Sequence, residues 1–101
     1  MQKALEYFQL DLGIAKELGN RTREEYACHL LGVTYNSLGN LDRANESYEN
    51  TLRIAKNIGD NDLEGKTTNN LGNVYVGLGQ YQKAVNCFQK PSALAKPMEI
   101  N

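Results

Sequence analysis

The stretch Asn69–Tyr81, NNLGNVYVGLGQY, decides how the rest of the chain is read. It carries three glycines in a segment that otherwise follows a helical pattern, with Leu71, Tyr75 and Leu78 at i, i+4 and i+7 on one amphipathic stripe. Glycine inside a helix costs about 1 kcal/mol relative to alanine, so some gain must offset it. Gly72 and Gly77 also stand five apart, the glycine spacing of a phosphate-cradling loop. That alternative fails on its chemistry. A phosphate loop needs Lys and Ser/Thr directly after its second glycine, whereas Leu78 and Gly79 follow Gly77. No strand precedes Gly72 and no GxGxxG occurs, so a nucleotide site is excluded.

Shifting the chain by 40 residues explains the glycines. ALEYFQLDLGIAKELGN from Ala4 aligns with ANESYENTLRIAKNIGD from Ala44, and both align with AVNCFQKPSALAKPMEI from Ala84. Ala4/Ala44/Ala84, Phe8/Tyr48/Phe88 and Ala15/Ala55/Ala95 recur in register. Between these copies Leu31/Leu71, Gly32/Gly72, Tyr35/Tyr75, Leu38/Leu78 and Gly39/Gly79 match. Each unit therefore reads as two helices. Leu31, Tyr35 and Leu38 form the stripe of the first, and Ala44, Tyr48, Leu52 and Ala55 that of the second. Gly39 and Gly59 end them as left-handed caps. Thr22-x-x-Glu25 has the pattern of a capping box, Asp62 is its counterpart one unit on, and Asn40 is a cap for the helix after Gly39. The expected helices are 2–18, 23–38, 41–58, 63–78 and 81–96. Gly32 and Gly72 follow a core leucine in successive first helices, so the absent side chain should admit a neighbouring helix and its aromatic residue. Gly72→Leu should then overpack and destabilise by roughly 1–3 kcal/mol.

Composition limits function. The 101 residues suffice for one small domain. With 11 Lys and Arg against 12 Asp and Glu, the net charge of −1 gives no electrostatic basis for nucleic acid or an anionic membrane. No apolar run is long enough to span a bilayer, and MQKALEYFQLDLG lacks a signal-peptide apolar core. A cytoplasmic protein is expected, with Cys28 and Cys87 as reduced packing thiols. His29 adjoins Cys28, and side chains about 100° apart on a helix do not readily share a metal; no metal or other cofactor is expected. The sequons at Asn20 and Asn45 are read as chance matches. The single histidine has no triad partner, and Glu24-Glu25 sits in a first turn where acids favour the helix dipole, so no enzyme is expected.

These residues resemble a tetratricopeptide repeat. The likeness rests on Leu31-Gly32-x2-Tyr35, Gly39, Ala44 and Tyr48, repeated at Leu71-Gly72-x2-Tyr75, Gly79, Ala84 and Phe88. The 40-residue period, the NLGN-x-Y-x2-LG phrase and IAK-x-IGD resemble the long repeats of Pins/LGN-type proteins. The resemblance implies an all-α solenoid of antiparallel helix pairs in the order B-A-B-A-B. Residues 1–20 would be the second helix of a truncated repeat, 21–60 a full repeat, and 61–101 a last repeat with an irregular end after Pro91. Departures are visible. Cys28 and Thr68 stand where a large residue is common, and Asp11, Thr51 and Pro91 where alanine is. Pro91 should kink its helix and Pro97 should end order. The opening helix, with Leu5, Tyr7, Phe8, Leu12, Ile14 and Leu18, should leave an apolar strip exposed and favour self-association.

In such arrays the first helices line a concave groove that takes peptides or helices of a protein partner. Counting from Gly32, the groove positions are Tyr26, His29, Leu30, Val33 and Asn36; counting from Gly72 they are Lys66, Asn69, Asn70, Asn73 and Val76. Asparagine donates and accepts at once and is a poor helix former, which favours a binding role for Asn69, Asn70 and Asn73. Asn70 and Asn73 resemble asparagines of carboxylate-clamp domains. That clamp is incomplete, because His29 and Val33 stand where it places a basic residue and an asparagine. The expected function is a scaffold or adaptor binding a protein or peptide in the groove. The alternative is a structural spacer or capping segment that contacts adjacent repeats or another copy of itself.

Overall fold

The structure, a computed structural model, describes residues 2–89. It consists of five helices: α1 (Gln2–Leu18), α2 (Arg21–Ser37), α3 (Leu41–Ile58), α4 (Asn61–Gly77) and α5 (Tyr81–Gln89). Each packs on the next in chain order, and no strand occurs among the described residues. The expectations for Pro91, Pro97 and the later part of the 81–96 helix lie outside the described residues.

The turns repeat every 20 residues. Gly19, Gly39, Gly59 and Gly79 all have positive φ, between 67° and 82°, a conformation that a Cβ disfavours. The residue after each glycine donates its N–H back across the turn: Asn20 to Ala15 O, Asn40 to Tyr35 O, Asp60 to Ala55 O and Gln80 to Tyr75 O, at 2.8–3.0 Å. These bonds satisfy carbonyls that the helix end leaves without partners. The following helix starts at once, so one glycine reverses the chain and successive helices run antiparallel.

That immediacy corrects two expected caps. Asn20, not Thr22, caps α2: its side chain accepts from Arg23 N at 3.1 Å. Asp60, not Asp62, caps α4 by accepting from Leu63 N at 3.1 Å. Asn40 caps α3 as expected, accepting from Arg43 N. Both corrected helices begin two residues earlier than their periodicity suggested. Glu25 is thereby carried beyond the first turn, and instead of closing a capping box it is buried.

The core joins both units. Leu31, Tyr35, Ala44, Tyr48, Leu71, Val74, Tyr75 and Ala84 form one buried cluster, flanked by Leu5, Phe8, Leu12 and Leu52. Fully burying a leucine-sized side chain is worth about 1.5–3 kcal/mol, so this shared cluster ties each helix pair to the next. Leu38 departs from its expected stripe and is exposed, whereas its equivalent Leu78 packs partly against the core. The glycines act as the repeat suggested. A Cβ on Gly32 would stand 2.6 Å from the Tyr48 ring, and one on Gly72 2.5 Å from the Phe88 ring. Each first helix thus lies directly on the aromatic residue of the second.

Polar contacts follow the same register. Gln9 Nε2 donates to Tyr35 Oη at 3.1 Å, and 40 residues on Tyr75 Oη donates to Glu49 Oε2 at 3.1 Å. Burial first, then the Glu49 carboxylate, pushes the Tyr75 phenol up to about 12. Asp11 accepts from Arg23 across α1 and α2. Its equivalents, Thr51 and Leu63, are buried, and Thr51 hydrogen-bonds back to Ser47 O. The place where alanine is common is therefore used differently in the two units: Asp11 joins a charged pair, and Thr51 is buried with its hydroxyl bonded within its own helix.

Candidate functional site

Residues of α2 and α4 not used in packing form two matching outward stripes. On α2, Tyr26, Val33 and Asn36 are exposed, with His29 and Leu30 half-buried; on α4, Lys66, Asn69, Asn73 and Val76 are exposed, with Asn70 half-buried. The spacing of three and four residues keeps each set on one helix face. Every groove position named from the sequence is thus at least partly accessible. Asn69, Asn70 and Asn73 make no side-chain hydrogen bond among the described residues, so their amide groups are available to a ligand.

At the N-terminal ends of α2 and α4 the two stripes meet. A pocket of about 240 Å³ is lined by Thr22, Glu25 and Tyr26 from α2 and by Asp60, Asp62, Leu63 and Lys66 from the α4 side. Tyr26 and Lys66, 40 residues apart, share it. His29 lies one turn further along, its ring centroid 6.2 Å from that of Tyr26 and 6.1 Å from that of Tyr48. Burial, then repulsion from Lys66, holds the His29 pKa below its ordinary value. The imidazole is accordingly neutral near pH 7, able to donate at one nitrogen and accept at the other. Its buried Nδ1 has no hydrogen-bond partner among the described residues. Lys66 therefore couples electrostatically to His29 and lines the pocket with Tyr26. Val33, Asn36, Asn69, Asn70, Asn73 and Val76 lie outside the pocket.

Glu25 is the functional candidate that sequence reasoning passed over. The residue is 1% exposed, and its Oε2 has no partner among the described residues. Burial, then a hydrogen bond and charge repulsion from Asp60, raise its pKa to about 7. One signal could have found it. The equivalent position 40 residues on is Gly65, so a buried carboxyl stands where the second unit has no side chain. Its neighbour Glu24 has the more ordinary role, facing Arg21 at 3.5 Å. Cys28 is buried, and burial followed by Glu24 pushes its thiol up, which suits packing rather than nucleophilic use. Among the described residues no group of three or more His, Cys, Asp or Glu converges to hold a metal ion.

The turn spacing, the glycine–aromatic contacts and the paired tyrosine bonds describe one repeated helix hairpin. A family model described as Tetratricopeptide repeat matches residues 25–96. The chain belongs to the tetratricopeptide repeat family. Among solved structures it is similar to the TPR domain of Arabidopsis FLU, with a TM-score of 0.82 and 24% sequence identity over 86% of this chain and 73% of that one. At that identity the likeness concerns the fold. No curated protein matches the chain in sequence. Tetratricopeptide repeats in general mediate protein–protein interaction, and no helix among the described residues is long and apolar enough to cross a membrane.

Proposed function

We propose that this chain is a cytoplasmic, non-enzymatic interaction module that binds a peptide or helix of a protein partner along the face shared by α2 and α4, acting as a scaffold or adaptor. In this reading residues 21–60 form one repeat, 61–101 the next, and α1 is the second helix of the repeat before. The observation that carries it is the pair of outward stripes in 40-residue register. They leave unbonded asparagines, the His29 imidazole, Tyr26 and Lys66 at least partly accessible, and Tyr26 and Lys66 line one pocket. Backbone amides of an extended ligand suit Asn69 and Asn73, and exposed Val33 and Val76 add apolar contact. Captured C-terminal carboxylates are disfavoured, because Lys66 is the only cation among the groove positions. A peptide-display selection with Asn69→Ala/Asn73→Ala as control tests the proposal. Peptides enriched on the parent chain and lost on the double variant support it; equal enrichment on both sinks it.

A second reading is favoured by α1. Tyr7, Leu10, Ile14 and Leu18 are exposed on one side of that helix, with Leu10 added to the strip expected from the sequence. Here the chain is a structural segment that contacts neighbouring repeats or a second copy through α1. Leu5 and Phe8 pack against the core, so Leu10→Glu and Ile14→Glu are the informative variants. Sedimentation that depends on concentration for the parent chain and not for the variants supports this reading, and monomeric behaviour throughout removes it.

A further inference from the structure

We propose that the pocket between the N-terminal ends of α2 and α4 is a subsite for one basic side chain, lysine or arginine, of the bound partner segment. The inference rests on the reading of α2 and α4 as the partner-binding face and adds the chemistry of one position on it. Three carboxyl groups, Glu25, Asp60 and Asp62, line the pocket against one ammonium, that of Lys66. Lys66 does not neutralise them: although it stands four residues after Asp62, it forms no ion pair among the described residues. Glu25 is almost fully buried and lines this space, and its Oε2 lacks a donor. A buried carboxyl oxygen without a donor is unfavourable, and an incoming N–H group would satisfy it. The remaining wall suits the stem and charge of a long basic residue. Leu63 offers apolar contact for the methylenes, and the exposed Tyr26 ring offers a face for the cation.

An anion is the alternative occupant, because helix N-termini attract negative charge. Here one first-turn donor of each helix is already engaged by its cap, Arg23 N by Asn20 and Leu63 N by Asp60. Asp60 and Asp62 would also repel an anion, so the carboxylates outweigh the dipole.

Binding a cation must draw the proton from Glu25, so occupancy and pH are linked. The charged groups around Glu25 are Asp60 at the α3–α4 turn and Asp62 and Lys66 on α4. On α2 itself Glu24 faces Arg21, and Asp11 of α1 is paired with Arg23. Lys16 of α1 and Arg53 of α3 act on the neighbouring Cys28. Burial and Lys66 lower the pKa of His29. Glu25, at about 7, changes charge between pH 6 and 8. With its pKa at about 7, the ionised fraction, and with it the apparent affinity for a cation, rises roughly ten-fold over that range.

The test uses Nα-acetyl-arginine amide as probe, titrated into the ¹⁵N-labelled chain and followed by NMR. The expected result is saturable shifts centred on the Tyr26, Asp62 and Leu63 amides, about ten-fold tighter at pH 8 than at pH 6. They should be lost in Glu25→Gln, which keeps the shape and neutrality of the protonated acid, and weakened several-fold in Asp62→Asn, an exposed change that leaves the fold intact. Shifts spread over the surface, shifts equal in the variants, or no saturation up to molar probe each overturn the subsite. The peptide selection separates this from the groove reading. Enriched motifs with no fixed lysine or arginine refute the subsite and leave the groove, whereas probe binding without any peptide enrichment removes the groove and leaves an isolated cation pocket.

Discussion

Replacing Gly32 with alanine and comparing it with the same change at Gly72 tests whether the two glycines exist for close packing. Both Cβ atoms would intrude on an aromatic ring: 2.6 Å from Tyr48 Cδ1 and Cε1, and 2.5 Å from Phe88 Cε1. Ordinary carbon contacts lie at about 3.5–4.0 Å, so each ring must retreat by roughly 1 Å. The rings differ in their freedom to do so. Tyr48 is 2% exposed and enclosed by the central cluster, whereas Phe88 is 48% exposed on α5. At Gly32 the enclosed Tyr48 puts the penalty in the upper part of the overpacking range, about 2–3 kcal/mol, and against the gain of about 1 kcal/mol from replacing a helical glycine by alanine the net loss is about 1–2 kcal/mol. At Gly72 the Phe88 ring swings outward and the two effects nearly cancel. In a domain of this size 1 kcal/mol moves Tm by about 4–8 °C. Thermal melts followed by circular dichroism should therefore place Gly32→Ala about 4–16 °C below the parent chain and Gly72→Ala within a few degrees of it. Leucine at 72 extends too far for ring rotation to accommodate and should still destabilise. A Gly32→Ala variant as stable as Gly72→Ala would refute the packing argument.

Other predictions concern the polar contacts. Glu25 holds its proton more tightly in the folded chain, at about 7 against an ordinary 4.5, so its contribution is greatest at low pH and lost as pH rises through 7, by up to ~3 kcal/mol; in denaturant titrations Glu25→Gln should gain stability over the parent chain from pH 5 to pH 8. Asp60→Ala removes the acceptor for Leu63 N and should cost about 1 kcal/mol, while Glu25, freed of its carboxylate neighbour, should titrate at lower pH by NMR. Tyr75→Phe loses the bond to Glu49 and should cost about 1 kcal/mol, with Tyr35→Phe, which loses only the Gln9 amide, costing less in the same melts.

The architecture was legible because it is written twice. Leu31/Leu71, Gly32/Gly72, Tyr35/Tyr75 and Ala44/Ala84 recur at one spacing, and the same residues are buried in both copies. A single copy would have left Gly32 ambiguous; its recurrence beside a recurring aromatic made close approach the simplest explanation. The helix starts were misplaced for a local reason. Thr22 and Asp62 carry capping side chains, but so do Asn20 and Asp60, and the positive-φ glycine just before each of the latter settles the competition by delivering the chain into helix immediately. The outward stripes followed from periodicity once the inward ones were known. The pocket did not, because it needs residues from two helices and the intervening turn, and Glu25 was assigned to a helix dipole on the strength of a start two residues too late.

Comparing the two copies with each other separates packing from recognition. The shared-core positions Leu31/Leu71, Tyr35/Tyr75 and Ala44/Ala84 keep the same residues. Outward positions differ at every pair: Tyr26/Lys66, His29/Asn69, Leu30/Asn70, Val33/Asn73 and Asn36/Val76. Surface divergence alone is what unconstrained side chains would give. Glu25/Gly65 is different in kind, because Glu25 is buried and burying a carboxyl is unfavourable unless its oxygens are satisfied. A fold that needed only to pack could have kept a small residue there, as the second unit does. Glu25 instead lies beside Asp60, a residue the helix start already requires as its cap. The cap is fixed by the fold and the second carboxyl is not, so the pair forms at the one place where a structural acid and a dispensable one meet on the face proposed for the partner. The energetic cost of Glu25 is thus the argument for placing recognition chemistry at this end of the groove.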